Sequence, residues 1–252
     1  MSRIMSRFIA VFEEVAAGLS SEEIAIRIRE AGGRATRQAV AKWRAGSAMP
    51  SRANVGAIMV GLDLSPSDGE RLLWAWLDQP TRAAEGIAGI PVVVVDVETT
   101  GLPSQDHAAV IEIGAVYLDG GRIERAVFST LVCPPSLDER ADRAMSINKI
   151  DREALKYAPG TAAAGRAFKS WVRMLGYPPM VAFNARFDRE MMARAGILYR
   201  NWFCLMQAAS AHFKRRISLD RCCAELAITR DAPHRALSDA RDAAAVLRGI
   251  GL

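Results

Sequence analysis

The sequence predicts a small all-α domain followed by an α/β domain. Residues before about position 80 show mainly helical patterns, whereas strand patterns first appear with the run of four valines at 92–95. The segment between them, DQPTRAAEGIAGIP, contains two glycines and two prolines, as linkers often do. We therefore expect a helical domain over residues 1–79, a linker over 80–90 and an α/β domain over 91–252.

The composition narrows the class of protein. Half of the 252 residues are hydrophobic and 24% are charged, which excludes a wholly disordered chain. The formal net charge of +5 favours a polyanionic partner, although solubility explains such an excess equally well. Since no run approaches 18 uninterrupted apolar residues, we expect no membrane-spanning helix. None of the four cysteines forms a CxxC pair, so we expect reduced thiols in a cytoplasmic protein.

The first part of the chain predicts about five short helices. Two acidic residues interrupt the apolar run within residues 1–19, so this segment is interpreted as a helix and not as a signal peptide. Ser20 and Glu23 have the spacing of a capping box and predict the start of a second helix. Thr36 is expected to cap a third helix, RQAVAKWRAG, because its side chain can accept from the free N–H groups of the first turn.

The third helix presents a basic outer surface. Val40 and Trp43 lie three residues apart and are expected to face the core, which leaves basic and amide side chains outward, as in helices that enter a DNA major groove. The stretch SSEEIAIRIREAGGRATRQAVAKWRAGSAMP resembles the lambda-repressor-like helix-turn-helix family, over about residues 5–77. This resemblance implies the following DNA-facing residues: Thr36, Arg37, Gln38, Ala41, Lys42 and Arg44. The alternative is a helical bundle whose charged face is only solvated or docks a protein.

Two carboxylates follow the run of valines in VVVVDVETTGL. Asp96 and Glu98 are two residues apart, so in a strand they point to the same face. Acids on a buried strand are costly unless something pairs with them. A divalent cation is one such partner, and oxygen ligands suit Mg²⁺ or Mn²⁺ better than Zn²⁺. The alternative is a salt-bridged strand end.

Two further segments place acids near helix starts. PMVAFNARFDREMM predicts a short strand, a turn at Asn184 and a helix that carries Asp188. PHRALSDARDAAAVLRGI predicts a loop with His234 and then a terminal helix with Asp239 in its first turn. Taken singly, each of these polar residues is more typical of a surface position.

Together the three segments resemble the DEDDh (DnaQ-like) 3′→5′ exonucleases. The motifs are DVETTGL at 96–102, NARFD at 184–188 and HRALSDA at 234–240, and the resemblance covers about residues 91–250. It implies an RNase H-like fold, with a mixed central sheet flanked by helices. The chain departs from the family pattern in MSINKIDREALKYAP, where a histidine-glycine turn is common, and at Phe183, where a histidine often precedes the asparagine.

The resemblance also implies roles for individual residues. Two divalent ions, Mg²⁺ or Mn²⁺, would be held by four carboxylates, and a histidine would accept a proton from the attacking water. These five residues are Asp96, Glu98, Asp188 and Asp239 for the metals and His234 for the proton. The 3′-terminal nucleotide would contact Thr99, Thr100, Gly101, Leu102 and Asn184.

The sequence therefore predicts a metal-dependent 3′→5′ exonuclease that acts on nucleic acid, with DNA preferred, and releases nucleoside 5′-monophosphates. Two alternatives stay open: a helix-turn-helix regulator whose nuclease-like domain is not catalytic, and an RNA-trimming exonuclease. A homodimer and a polymerase or other replication or repair partner are also considered, because helix-turn-helix proteins often bind as dimers and the best-known DEDDh enzyme serves a replicative polymerase.

Overall fold

The computed structural model describes residues 5–77, 87, 89–120, 122–199 and 201–252. The chain divides into two compact units, Met1–Pro80 and Thr81–Leu252. Most of the predicted linker at 80–90 lies outside the described residues. Within them, Ile87 is buried in the core of the second unit. No described helix is both long and apolar enough to cross a bilayer.

The first unit contains five helices in its described part. They are α1 (Met5–Val15), α2 (Ser21–Glu30), α3 (Arg37–Arg44), α4 (Arg52–Gly61) and α5 (Pro66–Leu77). The capping box is confirmed, because the Ser20 hydroxyl accepts from the backbone of Glu23 and the Glu23 carboxylate accepts from the backbone of Ser20. Thr36 caps α3 as expected, with its hydroxyl accepting from the Ala39 N–H at 3.1 Å. Each such cap contributes about 1 kcal/mol.

The turn between α2 and α3 is held from both sides. Gly32 has a φ of +82°, a conformation that favours glycine. The buried Asn54 of α4 accepts from the Arg34 N–H at 2.8 Å and donates to the Arg34 carbonyl at 3.0 Å. These contacts fix where α3 begins, and Val40 and Trp43 anchor its inner face in the core as predicted.

A five-stranded mixed sheet forms the centre of the second unit. The strands are β1 (Val92–Thr99), β2 (Val110–Asp119), β3 (Ile123–Leu131), β4 (Met180–Ala182) and β5 (Trp202–Cys204), in the order β3-β2-β1-β4-β5. β1–β2 and β2–β3 pair antiparallel, whereas β1–β4 and β4–β5 pair parallel. The helices are α6 (Asp142–Asn148), α7 (Arg152–Lys156), α8 (Thr161–Met174), α9 (Ala185–Arg194), α10 (Leu205–His212), α11 (Leu219–Glu225) and α12 (Ala236–Gly249).

The two faces of β1 bury different cores. Val93, Val95 and Val97 pack with residues of α8 and α9 on one face. Val92 and Val94 pack with residues of α10, α11 and α12 on the other. Since side chains alternate along a strand, Asp96 and Glu98 continue the second set and point toward the face that α12 covers. The prediction of a mixed sheet flanked by helices is confirmed.

Candidate active site

Three carboxylates meet where β1 ends beneath α12. One oxygen each from Asp96, Glu98 and Asp239 lies within 4.8 Å of the other two. The strand period places the first two on one face, and the first turn of α12 supplies the third. All are carboxylates, the donors that Mg²⁺ and Mn²⁺ prefer, so the set fits a hard divalent cation.

The N-terminus of α12 approaches the sheet closely because β2 has a glycine there. Gly114 is the cross-strand partner of Asp96 and therefore lies on the same face. A Cβ added to Gly114 would lie 2.1 Å from the Leu237 nitrogen and 2.2 Å from the Ala236 carbonyl carbon. Any side chain at this position would push away the helix turn that carries Asp239.

The fourth acid, Asp188, is buried in the first turn of α9. Burial raises its pKa to about 8, an effect that hydrogen bonds with the backbones of Asp188 itself and Val97 oppose. Its charge also acts on Asp96, whose pKa is raised well above the usual range by burial first and by the neighbouring carboxylates of Asp188, Glu98 and Asp239 next. The structure thus brings all four predicted acids into one electrostatic group.

Glu98 has a mixed environment. Burial raises its pKa to about 7, and the nearby charges of Asp239 and Glu112 add to the rise. Asn148 at the end of α6 opposes it, because its side-chain amide hydrogen-bonds to the Glu98 carboxylate. Asn148 belongs to the segment in which the chain departs from the family pattern, and it is buried. Its contact with Glu98 was not predicted.

The acid group makes the stability of the metal-free protein depend on pH. Glu98 and Asp188 ionise near pH 4 when unfolded and near 7 and 8 when folded, so folding holds their protons more tightly. Their contribution to stability is complete below about pH 4 and is lost as the pH rises through about 7 to 8.

We therefore expect the melting temperature in EDTA to fall between about pH 5.5 and pH 8.5, with each group contributing up to about 1.4 kcal/mol per pH unit. Thermal denaturation followed by circular dichroism measures this, with Asp188→Asn as the comparison. If the melting temperature falls with pH as steeply in the variant as in the unmodified protein, Asp188 does not contribute to this pH dependence. Added Mg²⁺ should flatten the slope of the unmodified protein.

The motif HRALSDA at 234–240 is hydrogen-bonded to the sheet next to Glu98. Arg235 donates from Nε and Nη2 to the buried Glu112 carboxylate at 3.1 and 2.7 Å, and the Ala236 N–H donates to the same carboxylate at 3.0 Å. Glu112 lies directly opposite Glu98 in the β1–β2 register. This ion pair therefore anchors the start of α12. The positive charge of Arg235 also opposes the rise that the Glu112 charge causes in the pKa of Glu98.

His234 lies on the exposed loop before α12. Its φ of +64° is uncommon for a residue with a Cβ, although histidine adopts it more often than most residues do. The His234 N–H donates to Asp239 Oδ1 at 3.2 Å, so the backbone of the proposed base contacts one of the acids directly.

A cavity of about 380 Å³ opens beside Glu98. Four of the five predicted nucleotide-contacting residues line it: Thr99, Thr100, Gly101 and Leu102. Arg140 and four residues of α6 also line it: Arg143, Ala144, Ile147 and Asn148. The fifth predicted residue, Asn184, is exposed at the start of α9 and is not among the described residues that line this cavity.

The loop that carries Leu102 is held in place by α9. Arg194 donates from Nη1 to the carbonyls of Gln105 and Ala108 at 2.9 and 3.4 Å. Gln105 Oε1 in turn accepts from the Leu102 N–H at 2.7 Å. The helix that supplies Asp188 therefore also positions the apolar side of the cavity.

Arg194→Lys should keep the positive charge but lose the planar guanidinium that donates to several carbonyls of the loop at once. Hydrogen bonds to charged groups contribute about 1.5–3 kcal/mol, so we expect KM for an oligonucleotide to rise roughly 10-fold or more, with a smaller effect on kcat. Steady-state kinetics measure both. Lys169→Arg is the matched control, since Lys169 tethers the Gly196 carbonyl on the exposed surface. Equal KM values for Arg194→Lys and the unmodified protein would exclude this role.

The predicted DNA-reading residues of the first unit are mostly exposed on α3. Thr36, Arg37, Gln38, Ala41 and Lys42 face solvent. Arg44 does not: it donates to the Leu19 carbonyl at 3.0 Å and pairs with Glu13 at 3.0 Å. The expectation that Arg44 faces outward was therefore wrong, because an acid on α1 and the end of the α1–α2 connection attract its guanidinium inward.

Comparison with known proteins gives the family. The exonuclease family model RNase_T matches residues 93–247, which is more than half of the chain. The chain is therefore a member of this exonuclease family, and it is a nuclease hydrolase. No curated protein matches it significantly.

Solved structures share the fold at low sequence identity. The nuclease domain of 3′hExo, a DEDDh family member bound to rAMP, is 16% identical with a TM-score of 0.55, over 63% of this chain and 90% of that one. Cell-death related nuclease 4 (CRN-4) is 16% identical with a TM-score of 0.53, and the match covers 64% of this chain and 63% of the CRN-4 chain. S. pombe Pop2p, in a Mg²⁺- and Mn²⁺-bound form, is 14% identical with a TM-score of 0.52, and the match covers 65% of this chain and 83% of the Pop2p chain. The chain thus spans less than two thirds of CRN-4, and these likenesses establish an RNase H-like exonuclease fold.

Proposed function

We propose that the protein removes nucleotides from nucleic-acid 3′ ends in the 3′→5′ direction and releases nucleoside 5′-monophosphates. The observation that carries this proposal is the convergence of Asp96, Glu98 and Asp239 within 4.8 Å, with Asp188 in the same electrostatic group. A phosphodiester is itself an anion. Buried carboxylates would repel it unless cations lie between them.

The residues present fit two divalent ions, Mg²⁺ or Mn²⁺. Asp96 shares the 4.8 Å cluster with Glu98 and Asp239, and its pKa is raised by burial first and then by the charge of Asp188, so we propose that it would help to hold both ions. Glu98 and Asp239 would complete one site and Asp188 the other. Such a pair of ions, when bound, stabilises the charge on the attacking and leaving oxygens of an in-line displacement.

His234 is the proposed general base. It is exposed on its loop, so it can exchange the accepted proton with solvent, and an imidazole nitrogen can accept a proton from water. Burial raises the pKa of Asp239, and Arg230 first and then the His234 N–H and imidazole oppose this rise, so His234 lies within electrostatic range of the acid group. Removing it should reduce the rate by roughly 10²- to 10⁴-fold.

The cavity beside Glu98 is the proposed site for the 3′-terminal nucleotide. Leu102 is 59% exposed and Ile147 is 50% exposed, so both side chains offer apolar surface to a base. Arg143 in its lining offers positive charge to phosphates, and Arg140 lines the cavity while paired with Asp138. Apolar and cationic groups on one cavity suit a nucleotide better than a neutral ligand.

A direct assay tests the catalytic proposal. The full chain is incubated with 5′-labelled single-stranded DNA, duplex DNA and RNA in Mg²⁺, Mn²⁺ or EDTA, beside Asp188→Asn. We expect a metal-dependent ladder that shortens from the 3′ end, with monophosphates as products, and no ladder in the variant. Absence of cleavage on every substrate, together with tight duplex binding, would favour a non-catalytic regulator. Cleavage of RNA alone would favour an RNA-trimming enzyme.

We also propose that the Met1–Pro80 unit is a helix-turn-helix module that binds duplex DNA and makes DNA the preferred substrate. The support is α3, whose Arg37, Gln38 and Lys42 side chains are exposed while Val40 and Trp43 anchor its inner face. Helices of this kind suit the major groove of B-form DNA and not the deep, narrow groove of RNA.

Duplex binding by a cleavage-deficient Asp188→Asn chain tests the module. Replacing Arg37 and Lys42 by glutamine should weaken binding and reduce the salt-dependence slope by about one per lost phosphate contact. The same double change at Arg122 and Arg125, which lie in the second unit, is the matched control for net charge. If the control weakens binding as much as the α3 variant, the module proposal fails.

Light scattering with and without duplex DNA measures the molecular mass and so tests the homodimer. Adding a replication or repair polymerase to the same light-scattering assay tests whether the two proteins form a complex.

A further inference from the structure

Arg230 occupies an unusual position beside the acid group. It lies on the loop between α11 and α12, yet its side chain is only 13% exposed. The guanidinium pairs with three acids at once: Asp239 through Nη2 at 2.6 Å, Asp242 through Nε at 2.6 Å, and Asp220 through Nη1. Two of these acids are on α12 and one is on α11, so a single side chain joins both helices to the loop.

The contact with Asp239 uses one defined oxygen. Oδ1 of Asp239 accepts from Arg230 Nη2 and also from the His234 N–H at 3.2 Å. Two donors on one oxygen fix the rotation of the carboxylate about its Cβ–Cγ bond. Asp239 shares the 4.8 Å cluster with Asp96 and Glu98, so a fixed carboxylate there presents a fixed ligand.

A structural ion pair alone accounts less well for this arrangement. Asp242 and Asp220 would suffice to tie α12 to α11 through Arg230, and the guanidinium would not need to reach Asp239. A planar fork is required to serve three acids in different directions, and lysine cannot reproduce it. Ligating carboxylates are commonly held by such outer contacts, whose loss costs about 10- to 100-fold in metal affinity or activity.

We propose that Arg230 is a positioning residue that orients Asp239 toward the bound divalent cation. This inference rests on the proposed metal set. It differs from a competing role in which the guanidinium merely occupies the cation site until a metal displaces it. The two roles predict opposite changes: loss of a positioning residue weakens metal binding, whereas loss of a competitor strengthens it.

Metal binding without substrate provides the test. Mn²⁺ is titrated into the full-length protein and free Mn²⁺ is followed by electron paramagnetic resonance, for the unmodified chain, Arg230→Gln, Arg230→Lys and Asp96→Asn. Arg221→Gln is the matched control, since Arg221 of α11 forms an exposed pair with Glu225 at 3.0 Å. We expect Mn²⁺ affinity to fall about 10-fold or more in Arg230→Gln and less in Arg230→Lys, with no change in the control.

The outcomes separate this inference from the proposed function. If Asp96→Asn binds Mn²⁺ as well as the unmodified chain does, the metal set itself is wrong. If Asp96→Asn loses binding while Arg230→Gln keeps it or binds more tightly, the metal set stands and the positioning role is overturned. Circular dichroism checks the fold of each variant. Should Arg230→Gln fail to fold, Arg230→Lys decides: unmodified affinity and kcat in that variant would overturn the proposal.

Discussion

Asp96→Asn is expected to abolish hydrolysis and at the same time to raise the thermal stability of the metal-free protein. Asp96 faces the carboxylates of Asp188, Glu98 and Asp239 in a buried setting that raises its pKa well above the usual range. Asparagine has the same shape without the charge, so the repulsion disappears. The same change removes the acid proposed to contact both ions, so we expect kcat to fall by at least about 10³-fold.

Paired measurements on one preparation decide this prediction. Melting temperature in EDTA should rise, and Mg²⁺ should stabilise the unmodified protein more than the variant. Asp119→Asn is the matched control, because Asp119 is exposed at the far end of β2. A variant that retains activity within about tenfold would remove Asp96 from the proposed catalytic set. A lower melting temperature would mean that another interaction of Asp96 outweighs the repulsion.

Gly114→Ala is expected to impair both folding stability and catalysis. Its Cβ would lie 2.1 Å from the backbone nitrogen of Leu237, and a helix backbone cannot yield as a flexible side chain can. Overpacking of this kind costs about 1–3 kcal/mol. The displaced turn carries Asp239, and a shift of about 1 Å at a catalytic group can cost roughly 10²-fold in rate.

Denaturant unfolding and initial rates with a 5′-labelled oligonucleotide measure the two effects. Gly160→Ala serves as the control, since a Cβ at Gly160 would meet no atom within 4 Å and its φ is −62°. Gly160 is the N-cap of α8, where alanine is disfavoured, so we expect the control to lower the free energy of unfolding by about 1 kcal/mol and to leave the rate unchanged. If Gly114→Ala retains full stability and rate, α12 does not depend on the glycine for its approach to the sheet.

Local features of this protein were predictable because their causes lie close in the sequence. The capping box of Ser20 and Glu23 and the cap at Thr36 involve residues three apart, and both are present. Alternation along a strand was enough to place Asp96 and Glu98 on one face of β1. Likewise, the turn at Asn184 precedes a helix as predicted.

Contacts between distant segments were not predictable in this way. Arg44 appeared to belong to the outer face of α3, but an ion pair with Glu13, 31 residues earlier, turns it inward. Gly114 lies in the stretch VIEIGAVYLDGGRI, which also resembles the family but is not one of the three motifs, and its role appears only where Ala236 and Leu237 pack against it. Arg230, Glu112 and Asn148 also lie outside the motifs, and each contacts one of the acids or the start of α12.

The sequence by itself determined which acids belong together, through three ordered motifs that identify the exonuclease family. It also determined the face on which the first two point, since the strand period fixes that direction. Only the tertiary structure decided how Asp239 and Asp188 reach them and which side chains hold them there. The physical reason is that helix–sheet approach and ion pairing depend on three-dimensional distance, which residues more than 100 positions apart, such as Glu112 and Arg235, do not reveal in their local patterns.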